Sequence, residues 1–271
     1  LEFSKAYETI CILTRELEWD FRLNRSFLMM DFLPTLKKQE GILEKLNELS
    51  GLLKEKRNMD ILTRQDLIVP LMFTMLMNAE IRKKQEKYDM ATLLLYRLLE
   101  MIEQRRLAVY NLYISQMKYA ELAYNLERQP HLEGMTGEER LKWLKETVIY
   151  IRKELFKKNI NPNLSDQISL LDGFILLLAL NDEMFEENDG RPMDKLRRIR
   201  SMVFLRNNSI FAHGLGPVSK DDFMKFRKFI MDLFIEFCMV EKIDFDSYIQ
   251  DIQWLNPLDS KNYVRMGESG E

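Results

Sequence analysis

The sequence predicts an all-α protein, and two patterns support this prediction. Leucine, isoleucine, phenylalanine and methionine recur at spacings of three and four residues through most of the 271-residue chain, which is the period of an amphipathic helix. No stretch alternates apolar and polar residues for long enough to form a half-buried strand, and no glycine-rich nucleotide loop is found. We therefore expect no sheet of more than two short strands.

The N-terminal part of the sequence predicts two helices that serve mainly for packing. Apolar residues keep mixed three- and four-residue spacings over 5–32 and 38–57. Pro34 separates the two segments, because proline lacks the backbone N–H that a helix interior needs. These helices form an additional region before the rest of the chain.

A helical hairpin is predicted at about 64–126. Its first helix covers 62–87 and has Pro70 near its first turn, where proline is tolerated. Asp89 follows a short turn and is predicted to cap the second helix, which continues from Ala91. The hairpin also resembles a single tetratricopeptide unit, but the sequence holds no second copy at the period that a solenoid needs.

The second half of the chain contains a clear helix start and a strong interruption. Thr136 and Glu139 have the spacing of a capping box. The Asn-Pro-Asn-Leu-Ser-Asp segment at 161–166 is rich in turn-forming residues. A domain boundary is therefore predicted there, between a helical region at 1–160 and a C-terminal core at 161–271, with the alternative that the two parts pack as one domain.

Three helices are predicted after this boundary. A buried helix covers 170–185, although 172–173 interrupt its apolar run. A basic helix covers 193–213, and an aromatic-rich helix begins at a cap formed by Ser219 or Asp221. The phenylalanines of that last helix are expected in the core or, alternatively, at a dimer contact: Phe223, Phe226, Phe229, Phe234 and Phe237.

The basic helix carries the most distinctive chemistry in the chain. Arg206 and His213 are seven residues apart, so a helix returns both side chains to nearly one face, about 10 Å apart along its axis. One phosphodiester can contact both. Gly214 follows the histidine and is predicted to end the helix there. The residues between the two that add polar groups are Asn207, Asn208 and Ser209.

Two blocks of sequence resemble one known family. The segment from Leu205 to Gly214, with Pro217 and Val218 behind it, is similar to the R-x-H motif of HEPN ribonucleases, in particular the CARF-HEPN proteins of type III CRISPR systems. The segment from Leu76 to Glu100 resembles the helical hairpin of the same family, with its N-A-E-x-R, Y-D-x-A and Y-R-x-L-E patterns. The chain is thus identified as a multi-helix HEPN-type helical domain with an additional N-terminal helical region.

The resemblance implies a metal-independent endoribonuclease that acts on single-stranded RNA. RNA carries its own nucleophile, the 2′-hydroxyl, so no metal and no cofactor is expected. Arg206 would stabilise charge on the scissile phosphate, and His213 would exchange a proton near neutral pH. Asn207 would orient the histidine or the phosphate. In this family two subunits form one composite site, so a homodimer is expected.

The same resemblance implies regulation by cyclic oligoadenylate in an antiviral CRISPR response. Family members usually carry an α/β sensor domain before the helical part, and no stretch of this chain alternates strands with helices. Leu1 is not methionine, so we expect the chain to begin inside a longer protein. Cyclic oligoadenylate is then expected to act only through a sensor domain absent from this chain.

Positive charge is concentrated around the motif. The net charge of the chain is −3, whereas residues 191–228 hold ten basic and three acidic side chains. A local positive excess favours phosphate binding. Arg200 and Lys220 therefore join Asn208 and Ser209 as predicted substrate-binding residues, although the outer lysines can equally form an ordinary solvated face.

Several other features restrict the class of protein. Cys11 and Cys238 are isolated, which argues against a zinc site and is typical of a reducing cytoplasm. No apolar run is long enough to cross a bilayer and no signal peptide is found, so a cytoplasmic protein without a membrane segment is predicted. His131 is expected in an exposed loop. The alternative function is a non-catalytic helical interaction module, either an inactive HEPN domain or a tetratricopeptide-like adaptor.

Overall fold

The computed structural model describes residues 3–24, 33–113, 119–126, 129–157, 168–186, 192–207 and 217–252. These residues form eleven α-helices and contain no strand, so the all-α prediction is confirmed for this part of the chain. None of the described helices is both long enough and apolar enough to cross a bilayer. Short 3-10 helices lie at Pro130–Leu132 and Glu183–Phe185. The α-helices are α1 (Phe3–Asn24), α2 (Leu33–Lys54), α3 (Asn58–Thr63), α4 (Gln65–Lys84), α5 (Tyr88–Val109), α6 (Tyr119–Asn125), α7 (Gly137–Phe156), α8 (Leu170–Ala179), α9 (Pro192–Asn207), α10 (Lys220–Val240) and α11 (Phe245–Ile252).

The chain divides into two compact units. One comprises Leu1–Asn47 together with Asp246–Glu271, and the other, larger unit comprises Glu48–Phe245. The sequence predicts a boundary between residues 160 and 161, which lies within 158–167, outside the described residues. That boundary stays a prediction.

The larger unit is built around α5, which packs against α3, α4, α8, α9 and α10. Aromatic rings fill the space between α4 and α10, where the ring centroids of Phe73 and Phe234 lie 4.9 Å apart. Burial of rings of this size is a large apolar contribution to stability. The aromatic helix therefore serves the core, because all of its five predicted phenylalanines are buried: Phe223, Phe226, Phe229, Phe234 and Phe237.

Local capping signals set the starts of three helices. The predicted capping box of α7 is confirmed, since Glu139 N–H donates to Thr136 Oγ1 at 3.3 Å and the Glu139 carboxylate accepts from Thr136 N–H at 2.7 Å. Ser219 caps α10, as predicted. Asp172 does not interrupt an apolar helix but belongs to a second capping box, in which its carboxylate accepts from Ser169 N–H at 3.2 Å and α8 begins.

The position of Pro34 and the extent of the predicted helix at 62–87 differ from the prediction. Pro34 is the second residue of α2 and does not separate two helices, because the N–H groups of a first turn need no partner within the helix. The predicted helix at 62–87 is divided at Arg64, whose backbone is extended with φ −94° and ψ 103°. Pro70 consequently lies in the second turn of α4.

A buried network of ionic hydrogen bonds joins α5 to the segments around it. Asp182 is fully buried and accepts from Arg106 Nη2 at 2.8 Å and from the Tyr110 hydroxyl at 2.9 Å. Arg106 Nη1 also donates to Glu241 at 2.8 Å, and Arg105 Nη2 donates to the same carboxylate at 2.7 Å. Each charge in the network therefore depends on its partners, because water does not solvate it fully.

The buried carboxyl group of Glu103 on α5 lies outside this network of ionic hydrogen bonds. Its side chain is 1% exposed, and its Oε1 finds no hydrogen-bond partner among the described residues. A Cβ atom at Gly173 of α8 would lie 1.5 Å from that oxygen, so a larger residue there would force the Glu103 side chain to move. Burial, followed by the charges of Glu100 and Asp172, raises the pKa of Glu103 well above its ordinary value.

Glu103→Gln is expected to stabilise the protein at about pH 8 and to change its stability little at about pH 4. The unfolded glutamate titrates near pH 4.3. Because the pKa of Glu103 is raised in the folded state, its contribution to folding stability is fully present below the unfolded pKa. This contribution is lost as the pH rises through the folded pKa. Glutamine has no such proton to lose, so we expect a gain of at least about 1 kcal/mol at about pH 8.

Thermal unfolding at the two pH values measures this effect. Glu133→Gln, at an exposed position, is the matched control and should change neither melting temperature. An equal gain at both pH values would show that the effect does not come from titration of the carboxyl group.

Candidate functional site

The basic helix predicted from the sequence corresponds to α9, which covers Pro192–Asn207. Arg206 and Asn207 are its last two residues, in agreement with a helix predicted over 193–213, but their side chains lie outside the description. The predicted meeting of the motif side chains on one helix face therefore stays a prediction. Outside the described residues altogether lie Asn208, Ser209 and His213.

Arg200 joins α9 to the C-terminal end of α7. Its Nη1 donates to the Leu155 carbonyl at 3.1 Å, and its guanidinium lies 4.4 Å from the ring centroid of Phe156. The last carbonyl groups of a helix carry partial negative charge and the ring face attracts cations, so both contacts favour the guanidinium. A guanidinium has five N–H donors, and this anchoring leaves donors for a phosphate. The substrate-binding role of Arg200 remains a prediction.

Lys195 and Arg198 join α9 to α10, and Lys195 also joins it to the 3-10 helix at Glu183–Phe185. The Lys195 ammonium binds the Glu236 carboxylate and the Met184 carbonyl. The Arg198 guanidinium faces Asp232, with 4.0 Å between the nearest nitrogen and oxygen. Both carboxylates come from the part of α10 that follows the basic segment at 191–228. The fold thus neutralises part of the positive excess that the sequence shows.

A cavity of about 500 Å³ lies beside α9, and its charges do not suit RNA. Its lining contains more carboxylates than cations, which disfavours a phosphate group. Lys220, by contrast, is exposed at the start of α10 and stays a predicted substrate-binding residue. The charged residues of the cavity lining are Lys195, Arg198, Glu186, Asp194, Asp232 and Glu236.

Asp89 binds the backbone on the C-terminal side of the motif. The backbone N–H of Val218 donates to Asp89 Oδ1 at 2.9 Å. The sequence predicts that Asp89 caps α5, and this prediction is wrong, because α5 begins at Tyr88 and the cap position is occupied by Lys87 without a side-chain hydrogen bond. The carboxylate instead binds a residue 129 positions away. This aspartate belongs to the Y-D-x-A pattern, but no local signal in the sequence indicates its distant partner.

Two further contacts join the hairpin to α10. The ring centroids of Tyr88 and Phe223 lie 5.4 Å apart, and Arg227 Nε donates to Glu80 Oε1 at 2.5 Å. Burial opposes ionisation of Glu80, but the hydrogen bond and charge of Arg227 hold its pKa below the ordinary value. Glu80 and Tyr88 belong to the same sequence block as Asp89. That block therefore supports the chain on the C-terminal side of the motif.

The chain matches a known protein family over the range that holds these contacts. A family described as the Csm6 HEPN domain matches residues 60–236, a range that includes the hairpin, α9 and most of α10. No curated protein matches the chain. Because the matched range covers well over half of the chain, the protein belongs to the Csm6 HEPN domain family of CRISPR-associated HEPN ribonucleases.

Proposed function

We propose that this protein is a metal-independent endoribonuclease that cleaves single-stranded RNA in an antiviral type III CRISPR response. The observation that supports this most directly is the family match over 60–236, which spans both the hairpin and the Arg206 to His213 motif. The anchoring of α9 by Arg200 and of Val218 by Asp89 also supports it, because an acid–base site needs a fixed backbone.

The proposed reaction uses the RNA's own 2′-hydroxyl. The 2′-oxygen attacks the adjacent phosphorus while His213 accepts the proton of the hydroxyl group. The bond from phosphorus to the 5′-oxygen then breaks, and the 5′-oxygen takes up a proton as it leaves. Arg206 stabilises the negative charge that grows on the phosphate, and Asn207 orients the histidine or the phosphate. The products are a 2′,3′-cyclic phosphate and a 5′-hydroxyl.

The proposal includes a homodimer and an external regulator. Two copies of the motif meet at one RNA phosphate, so a single chain supplies half of a site. Cyclic oligoadenylate acts through a sensor domain that is not part of this sequence. A ligand shifts an equilibrium only when it binds the two states with different affinity, so it should not change the activity of this chain alone. The cytoplasmic location stays a prediction from the sequence.

The proposal is tested by incubating the chain with a labelled single-stranded RNA and excess chelator over a series of protein concentrations. We expect fragments that end in 2′,3′-cyclic phosphate, and a specific activity that rises with concentration and levels off once the dimer is saturated. Cleavage that stops in chelator contradicts the metal-independent reaction, and a specific activity that does not fall on dilution contradicts the composite site. No loss of RNA at any concentration would favour the non-catalytic interaction module.

A further inference from the structure

We propose that Asp89 is a positioning residue for RNA cleavage, whose carboxylate fixes the chain directly behind the motif. This inference rests on the proposed ribonuclease function. The observation that carries it is the hydrogen bond from the Val218 N–H to Asp89 Oδ1, which is 2.9 Å long and part-buried. A bond to a charged acceptor is stronger than one between two neutral groups, so this contact is a suitable anchor for a backbone.

Asp89 is itself held by its surroundings. It is the second residue of α5, the helix around which the larger unit packs. The positive end of a helix dipole stabilises a carboxylate at this position. The preceding Tyr88 packs on Phe223 of α10, and Ser219 caps the start of that helix. Val218 is therefore fixed between the beginnings of two packed helices.

The connectivity of the chain links this anchor to the motif. His213 lies five positions before Val218, and an extended chain spans about 3.3–3.6 Å per residue, so the two are at most roughly 18 Å apart. A general base acts only within hydrogen-bond reach of its proton, and a displacement of about 1 Å can lower a rate on the order of 10²-fold. Loss of the anchor should thus reduce turnover more than RNA binding, which depends mainly on phosphate contacts.

Two substitutions at this position separate the hydrogen bond from the rest of the side chain. Asp89→Ala removes the acceptor, whereas Asp89→Asn keeps a carbonyl oxygen in nearly the same place. On single-stranded RNA we expect Asp89→Ala to lower kcat at least about tenfold with KM within about threefold, and Asp89→Asn to recover most of the rate.

A second measurement follows the anchor without using the reaction. Hydrogen–deuterium exchange of the peptide that contains Val218 should become at least about tenfold faster in Asp89→Ala and stay near the wild-type rate in Asp89→Asn. Asp66→Ala is the matched control, since Asp66 also lies in the first turn of a helix but is itself exposed and pairs with Arg64. It should change neither kcat nor the exchange at Val218.

The outcomes distinguish this inference from the function on which it rests. A wild-type kcat in Asp89→Ala overturns the positioning role, and so does unchanged exchange at Val218. Faster exchange throughout Asp89→Ala also overturns it, because the effect then belongs to the stability of the whole fold. If the wild-type chain does not cleave RNA, the proposed function fails and takes the catalytic part of the inference with it, while exchange at Val218 still decides whether Asp89 anchors the chain.

Discussion

Replacing His213 with alanine is expected to reduce the rate of RNA cleavage by at least about 10²-fold. A positioned acid or base contributes typically 10²–10⁴-fold to a rate, and histidine is the side chain whose ordinary pKa suits proton exchange near neutral pH. Initial rates on a labelled single-stranded RNA in chelator measure the effect. The melting temperature of the variant should stay within a few degrees of the wild type, because the proposed role of His213 is chemical.

The chain provides its own control for this experiment. His131 is the only other histidine in the sequence, and its exposed ring lies 5.2 Å from the ring of Trp143 in the described structure. We expect His131→Ala to cleave RNA at the wild-type rate. A similar loss in both variants would assign the effect to something other than the motif. Loss of the fold in His213→Ala alone would instead assign His213 a structural role, such as capping its helix.

The parts of the fold that could be predicted depend on neighbours in sequence. The capping box at Thr136 is visible because its two members are three residues apart, and the cap at Ser219 follows from the same local chemistry. Pro34 shows the limit of such reasoning. A proline disfavours a helix interior, but it does not tell whether the chain ends a helix there or begins one.

The candidate site was predictable as a pattern but not as an arrangement. The spacing of Arg206 and His213 and the hairpin block indicate the family, whose match over 60–236 supports the same assignment. The partners of the surrounding charges come from distant parts of the chain, as Glu80 does for Arg227. A count of charges along the sequence therefore overestimates the positive field of residues 191–228, because tertiary packing places carboxylates from other segments beside some of these cations.

The largest stability effect is expected at the buried pair of Arg106 and Asp182. Removal of the arginine would leave a fully buried carboxylate without a counter-charge, and breaking a buried pair in this way costs about 3–5 kcal/mol. Arg106→Met keeps much of the side-chain volume, so the loss of charge and hydrogen bonds dominates the effect. The free energy of unfolding in urea measures it, with the midpoint shifting at a nearly constant slope.

A surface pair on the same helix gives the matched control. Arg97 and Glu100 lie 2.6 Å apart but their side chains are 54% and 26% exposed, so Arg97→Ala should cost less than about 1 kcal/mol. Adding Asp182→Asn to Arg106→Met should recover part of the lost stability, because the neutral amide keeps one carbonyl oxygen to accept from the Met184 N–H and can donate its N–H to the Tyr110 hydroxyl, without a buried charge. If Arg106→Met costs no more than Arg97→Ala, the network does not hold α5 to its neighbours. If the second substitution destabilises the protein further, the uncompensated charge of Asp182 is not the cause of the loss.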